Sequence, residues 1–133
     1  MAKTHPYQHP VVKEISAGLE KYTKVLHILV GPRQTGKTTA AQQVAEQWKG
    51  ETVVAAADTT LPPGGEWIQA QWDLALTKCG PRKKVLLVLD EIQKVHRWSE
   101  VIKMLWDREL KAPKGLSVLL LGSSALLVQK GLA

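Results

Sequence analysis

The sequence predicts a three-layer α/β fold built on a parallel sheet, and three observations carry that expectation. Short runs of β-branched and leucine residues alternate with longer segments of helical periodicity. A glycine-bearing segment, Gly31-Pro32-Arg33-Gln34-Thr35-Gly36-Lys37-Thr38, stands between the first such run and the helix after it. An acidic pair, Asp90-Glu91, closes a later run, Val85-Leu86-Leu87-Val88-Leu89. Strands alternating with helices imply right-handed crossovers, and these cover a parallel sheet on both faces.

Each element has its own signal. Val11, Val12, Ile15, Leu19 and Tyr22 recur at three- and four-residue steps and predict a first helix, which Gly18 weakens without cancelling. Val25 to Val30 is nearly all apolar, as a strand is when both faces are covered, and it stops at Gly31. From Gly36 the stripe Ala40, Ala41, Val44, Ala45, Trp48 predicts a helix, with Gly50 where a left-handed residue commonly ends one. A second strand runs from Thr52 to Ala57. The breaker-rich stretch Asp58 to Gly65 then leads to a helix across Ile68, Trp72 and Ala75.

Gly80-Pro81 punctuates the chain before the third strand, Val85 to Leu89. Trp98, Val101, Ile102, Leu105, Trp106 and Leu110 give the cleanest helical period, ended by Ala112-Pro113 and Gly115. Ser117 to Leu121 is the fourth strand. The tryptophans at helical spacing are expected in the core.

Composition narrows the class further. The chain has 133 residues, 44% of them hydrophobic and 23% charged, which fits one compact domain over 1–133 rather than a disordered chain. Its longest apolar runs fall far short of the ~20 residues that a membrane-spanning helix needs. The N-terminus has no apolar stretch behind Lys3, so it lacks the plan of a secretory signal, and a cytoplasmic address follows by default. Cys79 is the single cysteine, which excludes an internal disulfide and a cysteine-rich metal cage. His5, His9, His27 and His96 lack the spacing of a zinc site. Lysine and arginine number 18 against 12 acids, a net charge of +6. The one basic cluster, Arg82-Lys83-Lys84, fits a solvated turn before a strand better than a grip on nucleic acid, which stays a minor alternative.

The segment from Gly31 to Thr38 matches the phosphate-loop pattern, in which backbone N–H groups wrap phosphates and glycine permits close approach. In a chain this long the bare pattern arises by chance on the order of once per few hundred sequences. Its context of strand, loop, helix and later acid makes chance rarer still. Lys37 is placed for the β- and γ-phosphates, the Thr38 hydroxyl for a magnesium ion, and Thr39 for the α-phosphate. Asp90, at the end of an apolar strand, is costly without a compensating cation or donors, and Mg2+ would supply that cation. Glu91 is positioned to orient a water for attack on the γ-phosphate; otherwise it is an acid at a helix start or in a salt bridge. Ser123 fits a sensor of the γ-phosphate, with Ser124 beside it; equally, one of the two caps the helix beginning at Ala125. ATP is the expected nucleotide.

Three motifs together carry a resemblance: Gly-Pro-Arg-Gln-Thr-Gly-Lys-Thr-Thr at 31–39, Leu-Asp-Glu-Ile-Gln-Lys at 89–94, and Leu-Gly-Ser-Ser-Ala-Leu-Leu at 121–127. The chain resembles, over about residues 10 to 133, the prokaryotic AAA-superfamily ATPases whose ATPase domain precedes a winged helix and a C-terminal domain of nuclease-like character. The resemblance implies a P-loop NTPase of the additional-strand type, four strands in the order 1-4-3-2, and a fifth strand beyond the first that this chain lacks. It also implies that Glu91 is the catalytic glutamate after the Walker B aspartate. Family members continue past Ala133, so the chain reads as an N-terminal fragment, incomplete at its C-terminus. An arginine contributed from elsewhere would then be missing, and turnover would be slow.

The leading expectation is Mg-dependent ATP hydrolysis coupled to a protein partner or to further domains of the same protein. Two alternatives stand beside it: a nucleotide-binding switch without turnover, and a small-molecule phosphotransferase.

Overall fold

The computed structural model describes residues 12–21, 25–30, 37–58 and 63–122. Helices and strands alternate as the periodicities predict: α1 (Val12–Lys21), β1 (His27–Val30), α2 (Lys37–Gln47), β2 (Glu51–Ala56), α3 (Gly65–Lys78), β3 (Val85–Asp90), a 3-10 turn (Ile92–Lys94), α4 (Trp98–Lys111) and β4 (Leu116–Gly122). The strands form one parallel sheet in the order β1-β4-β3-β2. No helix among the described residues is long and apolar enough to cross a membrane.

Two apolar layers sandwich the sheet, and the two-residue period of the strands decides which residue faces which layer. On one face Val12 and Leu19 of α1 and Ala40, Ala41 and Val44 of α2 meet Leu86, Val88, Leu119 and Leu121. On the other, Ile68, Trp72 and Ala75 of α3 and Trp98, Ile102, Leu105 and Trp106 of α4 meet Leu87, Leu89, Val118 and Leu120. Trp72 and Trp106 join α3 to α4 edge to face, ring centroids 6.4 Å apart and planes at 74°, a geometry worth about 0.5–1.5 kcal/mol beyond burial. Every residue of β3 and of β4 is buried. That explains why Val85 to Leu89 and Val118 to Leu121 read as unbroken apolar runs.

Four expectations need correction. β1 is shorter than Val25 to Val30 and is not covered on both faces: Ile28 and Val30 are 39% and 45% exposed. It is an edge strand paired with β4, and Ile28, whose partner is Leu120, lies on the α3/α4 side where no described helix reaches it. Gly50 does not end α2 in a left-handed turn, since the helix stops at Gln47 and Gly115 (φ 92°) is the one described glycine with positive φ. Gly50 is needed for close approach instead: a Cβ there would overlap the Lys84 carbonyl oxygen, which accepts both the Glu51 N–H at 3.1 Å and the Trp48 indole N–H at 3.3 Å. Trp48 sits at the margin of the core, unlike Trp72, Trp98 and Trp106. Finally, Leu110 is exposed while Glu109 is buried beside it. The carboxylate is drawn in because its Oε2 accepts the backbone N–H groups of Lys114, Gly115 and Leu116 at 2.8, 3.2 and 3.2 Å, which satisfies the turn between α4 and β4.

Candidate functional site

Parallel strands all point one way, so their carboxyl ends share one edge, which is where ligands bind in open α/β sheets. At that edge Val30 pairs with Gly122, and Ala56 with Asp90. β1 ends there at Val30 and β4 at Gly122. β4 separates β1 from β3, so the loop-bearing strand and the acid-bearing strand are not neighbours.

Asp90 is the last residue of β3 and is only 8% exposed. A carboxylate in that position requires donors, and it has two. Its Oδ2 accepts the Thr38 hydroxyl at 2.9 Å, and its Oδ1 accepts the Glu91 N–H at 2.8 Å. Thr38 is the second residue of α2, so the bond ties the start of that helix to the tip of β3 across 52 residues of sequence. Thr39 follows, half-buried, and Lys37 opens the helix.

Glu91 leaves the strand in the left-handed region, φ 56° and ψ 40°. For a residue with a Cβ this conformation costs about 1–2 kcal/mol. Such outliers persist where surrounding bonds over-determine them, and here they do. The carbonyl of Glu91 accepts the Lys94 N–H at 3.0 Å, and its Oε1 accepts the Gln93 side-chain amide at 2.8 Å. The Lys94 ammonium stands 4.0 Å from the same oxygen and 2.7 Å from Asp58 Oδ1, just past the end of β2. Glu91 precedes the 3-10 turn without capping it through its side chain.

The structure therefore brings together Thr38, Asp90 and Glu91, with Lys37 and Thr39 on the same first turn of α2. Gly31, Pro32, Arg33, Gln34, Thr35, Gly36 and Ser123 lie outside the described residues, so no placement is assigned to them. Sequence reasoning had no view of Asp58, Gln93 and Lys94 as neighbours of Glu91. Gln93 and Lys94 stand within the quoted motif, but nothing in one dimension pairs Lys94 with an aspartate 36 residues earlier.

Among the described residues no group of three or more histidine, cysteine or acidic side chains could hold a metal by itself. The donors present are hard oxygens, the Thr38 hydroxyl and the Asp90 carboxylate. That set suits magnesium, which keeps several waters and takes its remaining ligands from phosphate oxygens. A cavity of about 620 Å³ opens at the opposite end of the sheet, between Leu19, Trp48, Lys84, Leu110 and Leu116. It is remote from Asp90 and plays no part in this site.

A parallel sheet in the order β1-β4-β3-β2, a helix that starts against the acid at the tip of β3, and helices on both faces define a nucleotide-binding P-loop fold with an added strand between the two motif strands. A family model described as an AAA domain matches residues 23–133, and the chain belongs to that family of AAA-type ATPase domains. Among solved structures, the crystal structure of Cdc6p from Pyrobaculum aerophilum is similar, with a TM-score of 0.67 and 16% identity over 96% of this chain. At that identity the likeness speaks for the fold. The chain spans 42% of the length of that protein. No curated protein matches it.

Proposed function

We propose that this AAA-type domain binds ATP with magnesium and hydrolyses its γ-phosphate, with Lys37, Thr38, Asp90, Glu91 and Ser123 as the working residues and the loop Gly31–Gly36, with Thr39, as the phosphate cradle. The observation that carries the reading is the 2.9 Å hydrogen bond from Thr38 to Asp90. It holds the two oxygens that would share a cation at one point, between a helix start and a strand tip.

Backbone N–H groups of the loop and the positive end of α2 bind the phosphates. Lys37 adds a point charge there. Thr38 and Asp90 would hold the magnesium ion, which when bound neutralises charge on the β- and γ-phosphate oxygens. Glu91 orients a water for in-line attack and takes its proton. Ser123 contacts the γ-phosphate or that water. The hydrolysis cycle is coupled to a protein partner or to further domains of the same protein, in the cytoplasm.

Calorimetric titration with Mg·ATP and measurement of phosphate release test the reading. Lys37→Ala is expected to weaken binding at least tenfold. Glu91→Gln is expected to retain binding and to lose phosphate release. Full affinity in Lys37→Ala would discard the loop assignment, and unchanged release in Glu91→Gln would remove Glu91 from the chemistry. ADP that forms only with an added acceptor, its γ-phosphoryl group recovered on that acceptor and not as free phosphate, would favour a phosphotransferase, and tight binding without release a switch.

A further inference from the structure

We propose that Gln93 and the Asp58-anchored Lys94 are positioning residues for Glu91: they fix Oε1 of its carboxylate so that Oε2 is the oxygen presented to the attacking water. The inference rests on the hydrolysis reading and names the residues that aim its base.

Glu91 follows a buried strand and turns at once into a left-handed conformation, which ends the strand's extended path at this residue. A flexible glutamate in such a place samples several rotamers unless something holds its head. Gln93 does so from two residues on, its amide donating to Oε1 at 2.8 Å. Lys94 faces the same oxygen at 4.0 Å. Among the described residues the hydrogen bond and the ion pair of this carboxylate both fall on Oε1 and none falls on Oε2, so its two ends are inequivalent.

Lys94 is itself held. Its ammonium lies 2.7 Å from Asp58 Oδ1 and its side chain is 28% exposed, whereas that of Asp58 is 68% exposed. The shorter tie is to Asp58, so the ammonium stays beside Glu91 without closing on it. A direct ion pair would occupy the base and oppose its taking a proton. Asp58 follows the end of β2, where the Ala57 N–H still donates to the Asp90 carbonyl at 3.0 Å. The orientation of Glu91 is thereby referred both to its own turn, through Gln93, and to the end of β2, through Lys94 and Asp58. Because the network fixes geometry rather than ligand contact, its loss should appear in turnover and leave nucleotide affinity alone.

The test compares the full chain with Gln93→Leu, Lys94→Met, Lys94→Arg and Glu91→Gln, by phosphate release and by thermal unfolding with and without Mg·ATP. Gln93→Leu and Lys94→Met are each expected to lower kcat about tenfold or more, with KM and the ligand-induced thermal shift nearly unchanged. Lys94→Arg should restore most of the rate. Wild-type kcat in both Gln93→Leu and Lys94→Met, with release lost in Glu91→Gln, overturns this inference alone. A fall in nucleotide affinity or in ligand-free stability that matches the fall in kcat also overturns it, since that marks a structural role. Absence of release by the unaltered chain, or release indifferent to Glu91→Gln, overturns the hydrolysis reading and this inference with it.

Discussion

At the scale of single residues, the site is assembled from groups that would be unfavourable anywhere else. Asp90 is buried at the end of an apolar strand, and Glu91 occupies a backbone region that residues with a Cβ avoid. Both are compensated by neighbours: Asp90 by a hydroxyl and an N–H, Glu91 by the bonds of the turn that follows. Cys79 shows the opposite logic. Burial, with the nearby Glu109 carboxylate adding to it and Lys114 opposing, raises its thiol above the usual value, and its Sγ lies 3.6 Å from the Ala75 carbonyl. A raised value means less thiolate at a given pH, and the thiolate is the species that alkylates. Iodoacetamide labelling between about pH 7 and 10 should thus be slower in the native chain than in urea and rise at higher pH. Equal rates in the two states would contradict the burial assigned to Cys79.

At the scale of elements, the connections are held by polar devices that periodicity does not announce. Glu109 gathers three backbone N–H groups of the turn after α4, and its truncation would leave them unpaired at the foot of β4. Glu109→Ala is expected to lower stability by about 2–3 kcal/mol, read as a lower urea midpoint, whereas an exposed control such as Lys103→Ala should move it little. The elements themselves were legible: among the described residues the four strands and four helices stand where apolar runs and helical stripes placed them, with ends shifted by up to three residues. What was not legible was their surroundings. Val25 to Val30 and Val85 to Leu89 look alike as text, yet one is an exposed edge and the other is buried throughout. Coverage depends on which strands become neighbours, and a local pattern does not record that.

At the scale of the whole molecule, the sheet order brings the start of α2, at Thr38, against the acid at the tip of β3, Asp90. Nucleotide binding there should stabilise the entire fold, because α2 and β3, which the ligand would bridge, carry much of one apolar layer. At a concentration about 100 times Kd, linkage predicts about 2.7 kcal/mol of added stability. A thermal unfolding series with Mg·ATP should show the midpoint rising with ligand, and a flat series would remove nucleotide binding from the reading. The α1/α2 and α3/α4 layers remain distinct, so the Trp72–Trp106 pair sits across the sheet from Thr38 and should be insensitive to the nucleotide.

The amino-acid order by itself determined the elements, their alternation and the motif residues, because helical and strand periods and the phosphate-loop spacing are local properties of neighbouring residues. Only the tertiary structure decided that Thr38 bonds to Asp90, that Glu91 turns left-handed, and that Lys94 reaches back to Asp58. Those contacts span 36 to 52 residues or hang on a single dihedral angle. They follow from which strands lie side by side once both faces of the sheet have been buried.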